Sequence, residues 1–225
     1  MTKTKQLLII GDSAFAEVAY ECFTHDSEYE VVGFTVESGY LKQDTLFGLP
    51  VVPFEQVEER FSPTKVAFYA ALVYSQLNRL RTRLYKAAKT KGYRPASYVS
   101  SRAFVWRNVQ LGEHCFIFED NTIQPFVRIG DNVVLWSGNH IGHHSVVQDN
   151  CFVSSHVVIS GFCDIGRNTF MGVNATLANN VAIGEDNWIG LGVTIVRNTE
   201  PNQLFKGVQP VPATVSALRY FKVEG

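Results

Sequence analysis

Val153-Ser154-Ser155-His156-Val157-Val158-Ile159-Ser160-Gly161-Phe162-Cys163-Asp164-Ile165-Gly166-Arg167-Asn168-Thr169-Phe170-Met171 spans three copies of one six-residue pattern, marked by Val153, Ile159, Ile165 and Met171. The register extends both ways without a break: Val99, Val105, Leu111, Ile117, Ile123, Ile129, Leu135, Ile141 and Val147 before it, Leu177, Ile183, Ile189 and Ile195 after it. Such residues make up roughly a third of an ordinary chain, so seventeen in register is no accident. A short fixed period means one small unit stacked many times, and six is the period of a hexapeptide β-helix. Three six-residue sides make one triangular coil, so residues eighteen apart stack at about one strand spacing, ~4.8 Å. The ladder residues point into the prism. Glycine follows them at Gly112, Gly130, Gly142, Gly166, Gly172, Gly184 and Gly190, where it is expected to accept unusual turn angles.

Cys115, Cys151 and Cys163 each fall four residues after a ladder position, in a slot otherwise held by small residues such as Ser145, Thr169 and Ala175. They read as small buried hydrophobes, and Cys22, in a helical pattern, reads the same way. No disulfide framework is implied.

The rest of the composition is quiet. The formal net charge is −1, so there is no electrostatic footprint for nucleic acid or an acidic membrane. No apolar run approaches the ~18 residues of a membrane span. The run Leu7-Leu8-Ile9-Ile10 is too short for a signal-peptide core, so the expected home is the cytoplasm.

The first part of the chain has a different rhythm. Leu7 to Ile10 reads as a buried strand ending at Gly11, Ala14 to Phe23 as a helix, and Tyr29 to Val36 as a strand. A short strand at Gly48 to Val52, a helix at Phe54 to Phe61 and a strand at Lys65 to Leu72 follow. Leu77 to Lys91 is a basic helix stopped by Gly92. Strands alternating with helices imply parallel βαβ units. The expected organisation is an α/β Rossmann-like domain over 1–97, an all-β parallel β-helix over 98–200, and a tail over 201–225. In the tail, Pro210 and Pro212 argue for an extended start, and Val215 to Val223 for a short helix or strand.

Chemistry-bearing residues concentrate in Asn139-His140-Ile141-Gly142-His143-His144. Ile141 points inward, which leaves His143 and His144 on the outer turn. Imidazole suits removal of a proton from an attacking group near neutral pH. Three histidines in five residues also suit zinc, but alternating side-chain directions spread them around a corner. Trp106, Trp136 and Trp188 sit beside ladder residues. Trp106 and Trp136 point outward, so they call for burial against a neighbouring prism or the N-terminal domain.

The ladder and its glycines resemble the hexapeptide-repeat left-handed β-helix family, mostly acyltransferases that work as trimers. With the Rossmann-like domain in front, the whole chain resembles the sialic-acid O-acetyltransferase and bacillosamine N-acetyltransferase family of nucleotide-sugar acyltransferases. The resemblance implies a left-handed prism, a homotrimer, and a CoA thioester (acetyl or a larger acyl such as hydroxybutyryl) as cosubstrate without a metal. It implies His143 as general base and Gly161, one coil above, as oxyanion donor. His144 stands where the family usually carries the acid that orients the base, so the orienting group is left open between Asn139 and a neighbouring subunit. Positions matching the CoA groove are Gly161, Asn174, Ala175, Gly190, Gly192 and Val193, with Arg197 and Lys206 for phosphates.

The acceptor nucleotide, dTDP or UDP, maps to Gly11, Asp12, Ser13, Ala14 and Phe15, to Thr35 and Glu37 after the second strand, and to Asn78 and Arg81. The implied activity is N-acylation of a nucleotide-linked amino sugar feeding lipopolysaccharide, capsule or glycan synthesis. O-acetylation, a non-catalytic nucleotide-sugar-binding prism and a γ-carbonic-anhydrase-like metalloenzyme stay open as alternatives.

Overall fold

The computed structural model describes residues 2–223. Its N-terminal half is a six-stranded sheet with helices on both faces. In chain order the elements are β1 (Lys5–Ile10), α1 (Ala14–His25), β2 (Tyr29–Val36), β3 (Thr45–Leu46), β4 (Leu49–Pro53), α2 (Val57–Arg60), β5 (Val66–Ala70), α3 (Arg79–Thr90) and β6 (Arg94–Pro95). The strand order is β3-β4-β2-β1-β5-β6, parallel throughout except for β3 against β4. Leu7 to Ile10 form a continuous apolar run because β1 lies mid-sheet and is covered on both faces.

From Tyr98 onward the chain winds into a left-handed β-helix. Two-residue strands repeat every six residues and pair in parallel with those eighteen before and after, as Ile123 does with Val105 and Ile141. Three sheets result. The first face runs from Tyr98–Val99 to Trp188–Ile189, the second from Phe104–Val105 to Thr194–Ile195, and the third from Gln110–Leu111 to Ala182–Ile183. The ladder fills the interior from Ile117 to Ile195, whereas Val99 and Leu111 are part-exposed at the open lower end. Cys115, Cys151 and Cys163 are buried in the prism as expected, and Cys22 is half-buried. The first face gains one more strand, Leu204–Phe205, paired with Trp188–Ile189. The prism therefore reaches past residue 200 into the expected tail, of which Ala217–Tyr220 is a short helix, α4.

The ladder glycines owe their place to space rather than to backbone angle. None of the seven has a positive φ. A Cβ on Gly142 would fall 2.5 Å from the Gly161 nitrogen, and one on Gly166 2.5 Å from the Glu185 nitrogen, both on the coil above. The left-handed backbone sits two residues later, in a slot held by Phe126, His144, Phe162 and Asn180 along one corner.

The first face is not solvent-exposed. Its outward residues Tyr98, Phe116, Val134, Phe152 and Phe170 are buried against the N-terminal domain in one cluster with Phe15, Phe23, Phe34 and Tyr69. Trp136, one of the two tryptophans expected to point outward, stacks on Phe118 at 4.4 Å and meets Phe15 of the N-terminal domain, and Trp188 stacks on Phe170 at 3.9 Å. Trp106 remains exposed.

A polar bolt joins the halves at the corner between the third and first faces. Arg81 of α3 is fully buried and has no carboxylate partner among the described residues. It donates to Asn132 Oδ1, to the carbonyls of Asn132, Asn150 and Cys151, and to Asn78 Oδ1. Burial pulls its guanidinium down to about 10. His114 accepts a hydrogen bond from Ala70 N–H at 2.8 Å through Nε2, so its Nδ1–H donates to Asn132 Oδ1 at 2.9 Å. Burial pushes this imidazole down to about 3. Gln76, Leu77 and Asn78 are left-handed in succession, a cost of roughly 1–2 kcal/mol each. Docking offsets it: Asn78 Nδ2 donates to Asn168 O at 3.0 Å and Tyr74 packs on Phe170.

Candidate active site

The corner between the second and third faces lies opposite the docked first face, and it carries His143 and His144. The inward Ile141 fixes their direction. His143 N–H donates to Gln124 Oε1 at 2.9 Å, and the residue stacked above His143 is Gly161, which offers no side chain. The His143 ring occupies that opening: a Cβ on Gly161 would lie 3.0 Å from both its Nε2 and its Cε1. The side chains of His143 and His144 are exposed, and their Nδ1 atoms face each other at 3.1 Å. The His144 ring lies between Phe126 and Phe162.

The eighteen-residue stacking thus places Gly161 directly over His143. The Gly161 N–H, however, already donates to Asn179 Oδ1 at 3.0 Å, so the expected oxyanion donor has another partner. Asn179 was legible as the residue one coil above Gly161. Asn139 is likewise spoken for: its Nδ2 bonds to Trp136 O and its Oδ1 accepts from Val157 N–H, which braces a corner rather than orienting His143.

The residues matched to a CoA groove divide between two corners. Gly161 and Arg197 lie on the histidine corner, while Asn174, Ala175, Gly190, Gly192 and Val193 lie on the corner between the first and second faces. One chain does not bring them together. Ala175 is buried in the prism core, and Gly190 is held by the strand above, whose Phe205 O a Cβ would meet at 2.7 Å. Asn174, Gly192, Arg197 and Lys206 are exposed, and Val193 is half-buried against the core.

In the N-terminal domain a pocket opens at the carboxyl ends of β1 and β2, between Gly11, Asp12, Ser13, Glu37 and Tyr40, over a floor of Ile10, Val36, Leu72, Leu80 and Leu84. Ser13 is the N-cap of α1 but its hydroxyl caps nothing, and Ala14 begins the helix at the surface. Glu37 receives two hydrogen bonds from Arg83 at 2.8 Å, which hold its carboxyl below the usual range.

Four expected nucleotide residues are structural instead. Arg81 is the bolt described above, fully buried and out of reach of a phosphate. Asn78 is buried beside it. Thr35 is buried and donates to Val52 O, and Phe15 turns away from the pocket to meet Phe116 at 5.4 Å. The sequence did carry a signal for this docking: every outward residue of the first face from Tyr98 to Trp188 is apolar at an eighteen-residue spacing. His114 gave no such signal. Among the described residues, no group of three or more His, Cys, Asp or Glu is placed to hold a metal ion.

The family model described as bacterial transferase hexapeptide (six repeats) matches residues 108–143 and 126–161. Together the two matches lie within the repeat, over residues 108–161. No curated protein matches the sequence. Among solved structures, a variant of perosamine N-acetyltransferase from Caulobacter crescentus, in complex with CoA and GDP-perosamine, superposes with a TM-score of 0.80 at 22% identity over 90% of this chain and 93% of that one. The acetyltransferase domain of PglB from Neisseria gonorrhoeae does so with a TM-score of 0.81 at 19% identity over 91% and 97%. WeeI from Acinetobacter baumannii gives 0.71 at 17% identity over the same shares. The Rossmann-like domain and the prism therefore form one known two-part architecture across nine-tenths of the chain.

Proposed function

We propose that the protein is an acyl-CoA-dependent N-acyltransferase acting on the amine of a nucleotide-linked amino sugar. The observation that carries this reading is an open imidazole, His143, set beneath a glycine on a prism corner, in a chain that also holds a Rossmann-type pocket. Support comes from the matched structures: one fold-mate holds CoA and GDP-perosamine, and the PglB domain has a structure with acetyl coenzyme A. Two of the perosamine enzyme structures replace a single histidine.

The amine attacks the thioester carbonyl. As the C–N bond forms, His143 Nε2 takes the amine proton. The C–S bond then breaks, and the thiolate of CoA takes that proton back. No covalent acyl-enzyme is needed, and the cysteines are poor candidates for one. Burial raises the Cys115 and Cys151 thiols to about 12. The nucleotide sits in the pocket over Leu72 and Leu80, its diphosphate at the amides of Ser13 and Ala14. dTDP and UDP remain the expected carriers, and the GDP sugar of the fold-mate adds a third to test.

This pocket belongs to the domain docked on the first face, and His143 stands at the corner opposite that face. One chain cannot present one sugar to both, so the reading requires a homo-oligomer, proposed as a trimer, in which the corner of one copy meets a neighbour. A groove between copies would also unite the two sets of CoA positions. The test is acyl-CoA consumption with GDP-, UDP- and dTDP-linked amino sugars, using acetyl- and hydroxybutyryl-CoA. A product mass shift that survives mild alkali marks an amide. An alkali-labile product would make the protein an O-acyltransferase, and no turnover with any pair would leave a binding prism.

A further inference from the structure

The histidine corner holds two imidazoles where a base and a carboxylate would be the familiar pairing. His143 Nδ1 and His144 Nδ1 lie 3.1 Å apart, with the rings at 90°. The His144 ring is clamped on both faces, by Phe126 at 4.6 Å and Phe162 at 4.8 Å, with interplanar angles of 24° and 15°. The clamp is built by the repeat: Phe126, His144 and Phe162 are eighteen apart and share the left-handed slot, with φ of 66°, 58° and 60°. A ring held on both faces keeps its plane, and the edge it presents to His143 is its Nδ1 edge.

We infer that His144 is the positioning residue for His143, acting as a neutral hydrogen-bond acceptor in place of an acid. This rests on the acyltransferase reading above. Two imidazole nitrogens at this distance share one proton, so one donates and the other accepts. If His143 Nδ1–H donates to His144 Nδ1, the free lone pair of His143 is on Nε2, an atom that lies beneath the side-chain-free Gly161. If the direction is reversed, Nε2 carries the proton and cannot act as a base. Base chemistry therefore requires the first arrangement, which puts the His144 proton on Nε2. His144 lines a hollow with the side-chain amides of Asn108 and Gln110. When the amine proton reaches His143 Nε2, the Nδ1 proton can cross to His144 Nδ1, and the charge then sits between two aromatic faces, which favour a cation. It returns along the same path as the thiolate of CoA is released, so the net products are amide and free thiol.

The charged groups around the pair are few. Arg128 alone is charged among the residues of the hollow. Arg107 and Arg197 share the corner, two coils below and three above, and His140 precedes Ile141 on the same coil.

Three variants and one spectrum test the assignment. His144→Phe keeps an aromatic ring in the clamp and removes the acceptor. His144→Asn restores an acceptor oxygen in a left-handed slot that asparagine fills at Asn180. Expected is a fall in kcat of about tenfold or more for His144→Phe, with KM for the sugar and thermal stability little changed, and recovery of most of it in His144→Asn. In His144→Asp the acid limb of the rate–pH profile moves to higher pH, because a carboxylate stabilises the imidazolium. Nitrogen-15 spectra of the histidine-labelled full chain at neutral pH are expected to show His143 as the Nδ1–H tautomer. Full activity in His144→Phe, or His143 as the Nε2–H tautomer, overturns the assignment. If no acyl donor and acceptor turn over with the unaltered protein, the acyltransferase reading fails, while the tautomer spectrum still decides the pair.

Discussion

His114 and His144 occupy the same slot of the repeat, three residues past an inward aliphatic, with φ of 57° and 58°. The local backbone treats them alike. His114 lies on the corner against which α3 docks. It is fully buried, bonded through both nitrogens, and pushed down to about 3. His144 lies on a corner that, among the described residues, no other element covers, beside an open His143. What separates them is the presence of a second domain over one corner. The repeat supplies equivalent positions, and docking decides which become structural and which stay free for chemistry.

That contrast can be broken most strongly at the open corner. His143→Ala is expected to lower kcat by about 10²–10⁴-fold while leaving the melting temperature unchanged, measured by acyl-CoA consumption and thermal denaturation. Unchanged turnover would remove the base assignment.

The covered corner should respond the opposite way. Arg81→Lys replaces a planar fork reaching several carbonyls with a single ammonium. It should cost about 2–4 kcal/mol of stability in urea titration, since buried acceptors lose their donor. KM for the nucleotide sugar should hold; a large rise in KM with stability intact would restore Arg81 to the phosphate site.

pH sharpens the same contrast. The His114 imidazole is held far below its usual 6.5 in the folded protein. Between pH 6.5 and about 3 the unfolded chain binds a proton there that the folded chain does not, so stability falls as pH falls through that window. His114→Gln, which keeps an acceptor for the Ala70 N–H, should flatten the window and cost about 1 kcal/mol at neutral pH. An undiminished acid dependence would assign it to other groups. The smallest effect is expected at Ser13→Ala in the pocket proposed for the nucleotide: a rise of a few-fold in KM for the nucleotide sugar with kcat unchanged, read from initial rates, because backbone amides remain at the helix start.

The fold was legible because its signal is redundant. Seventeen ladder positions specify the prism, and the expected strand and helix centres of the first domain fall inside observed elements. The stacking of Gly161 over His143 followed from counting alone. The glycines were placed correctly for the wrong reason: close approach of the next coil excludes a Cβ, and the special backbone angle belongs to the slot two residues on. The site was less legible. Arg81 and Asn78 look from their sequence like a basic helix start able to meet phosphate, and only the docked prism turns them inward. The Gly161 amide looked free until Asn179 was folded above it.

The sequence by itself determined the prism, its coil length, the inward ladder with its buried cysteines, and the pair of histidines on an outer turn. These follow from a period of six acting through local strand pairing, and each coil needs only its neighbours to form. The tertiary structure alone decided which of three faces is covered, that the His114 corner is buried while the His143 corner stays open, and that the pocket at the ends of β1 and β2 and His143 lie on opposite sides of one chain. Those outcomes depend on apolar area and buried polar bonds made between segments that can lie more than a hundred residues apart, as Phe15 and Trp136 do, which no period within either segment encodes.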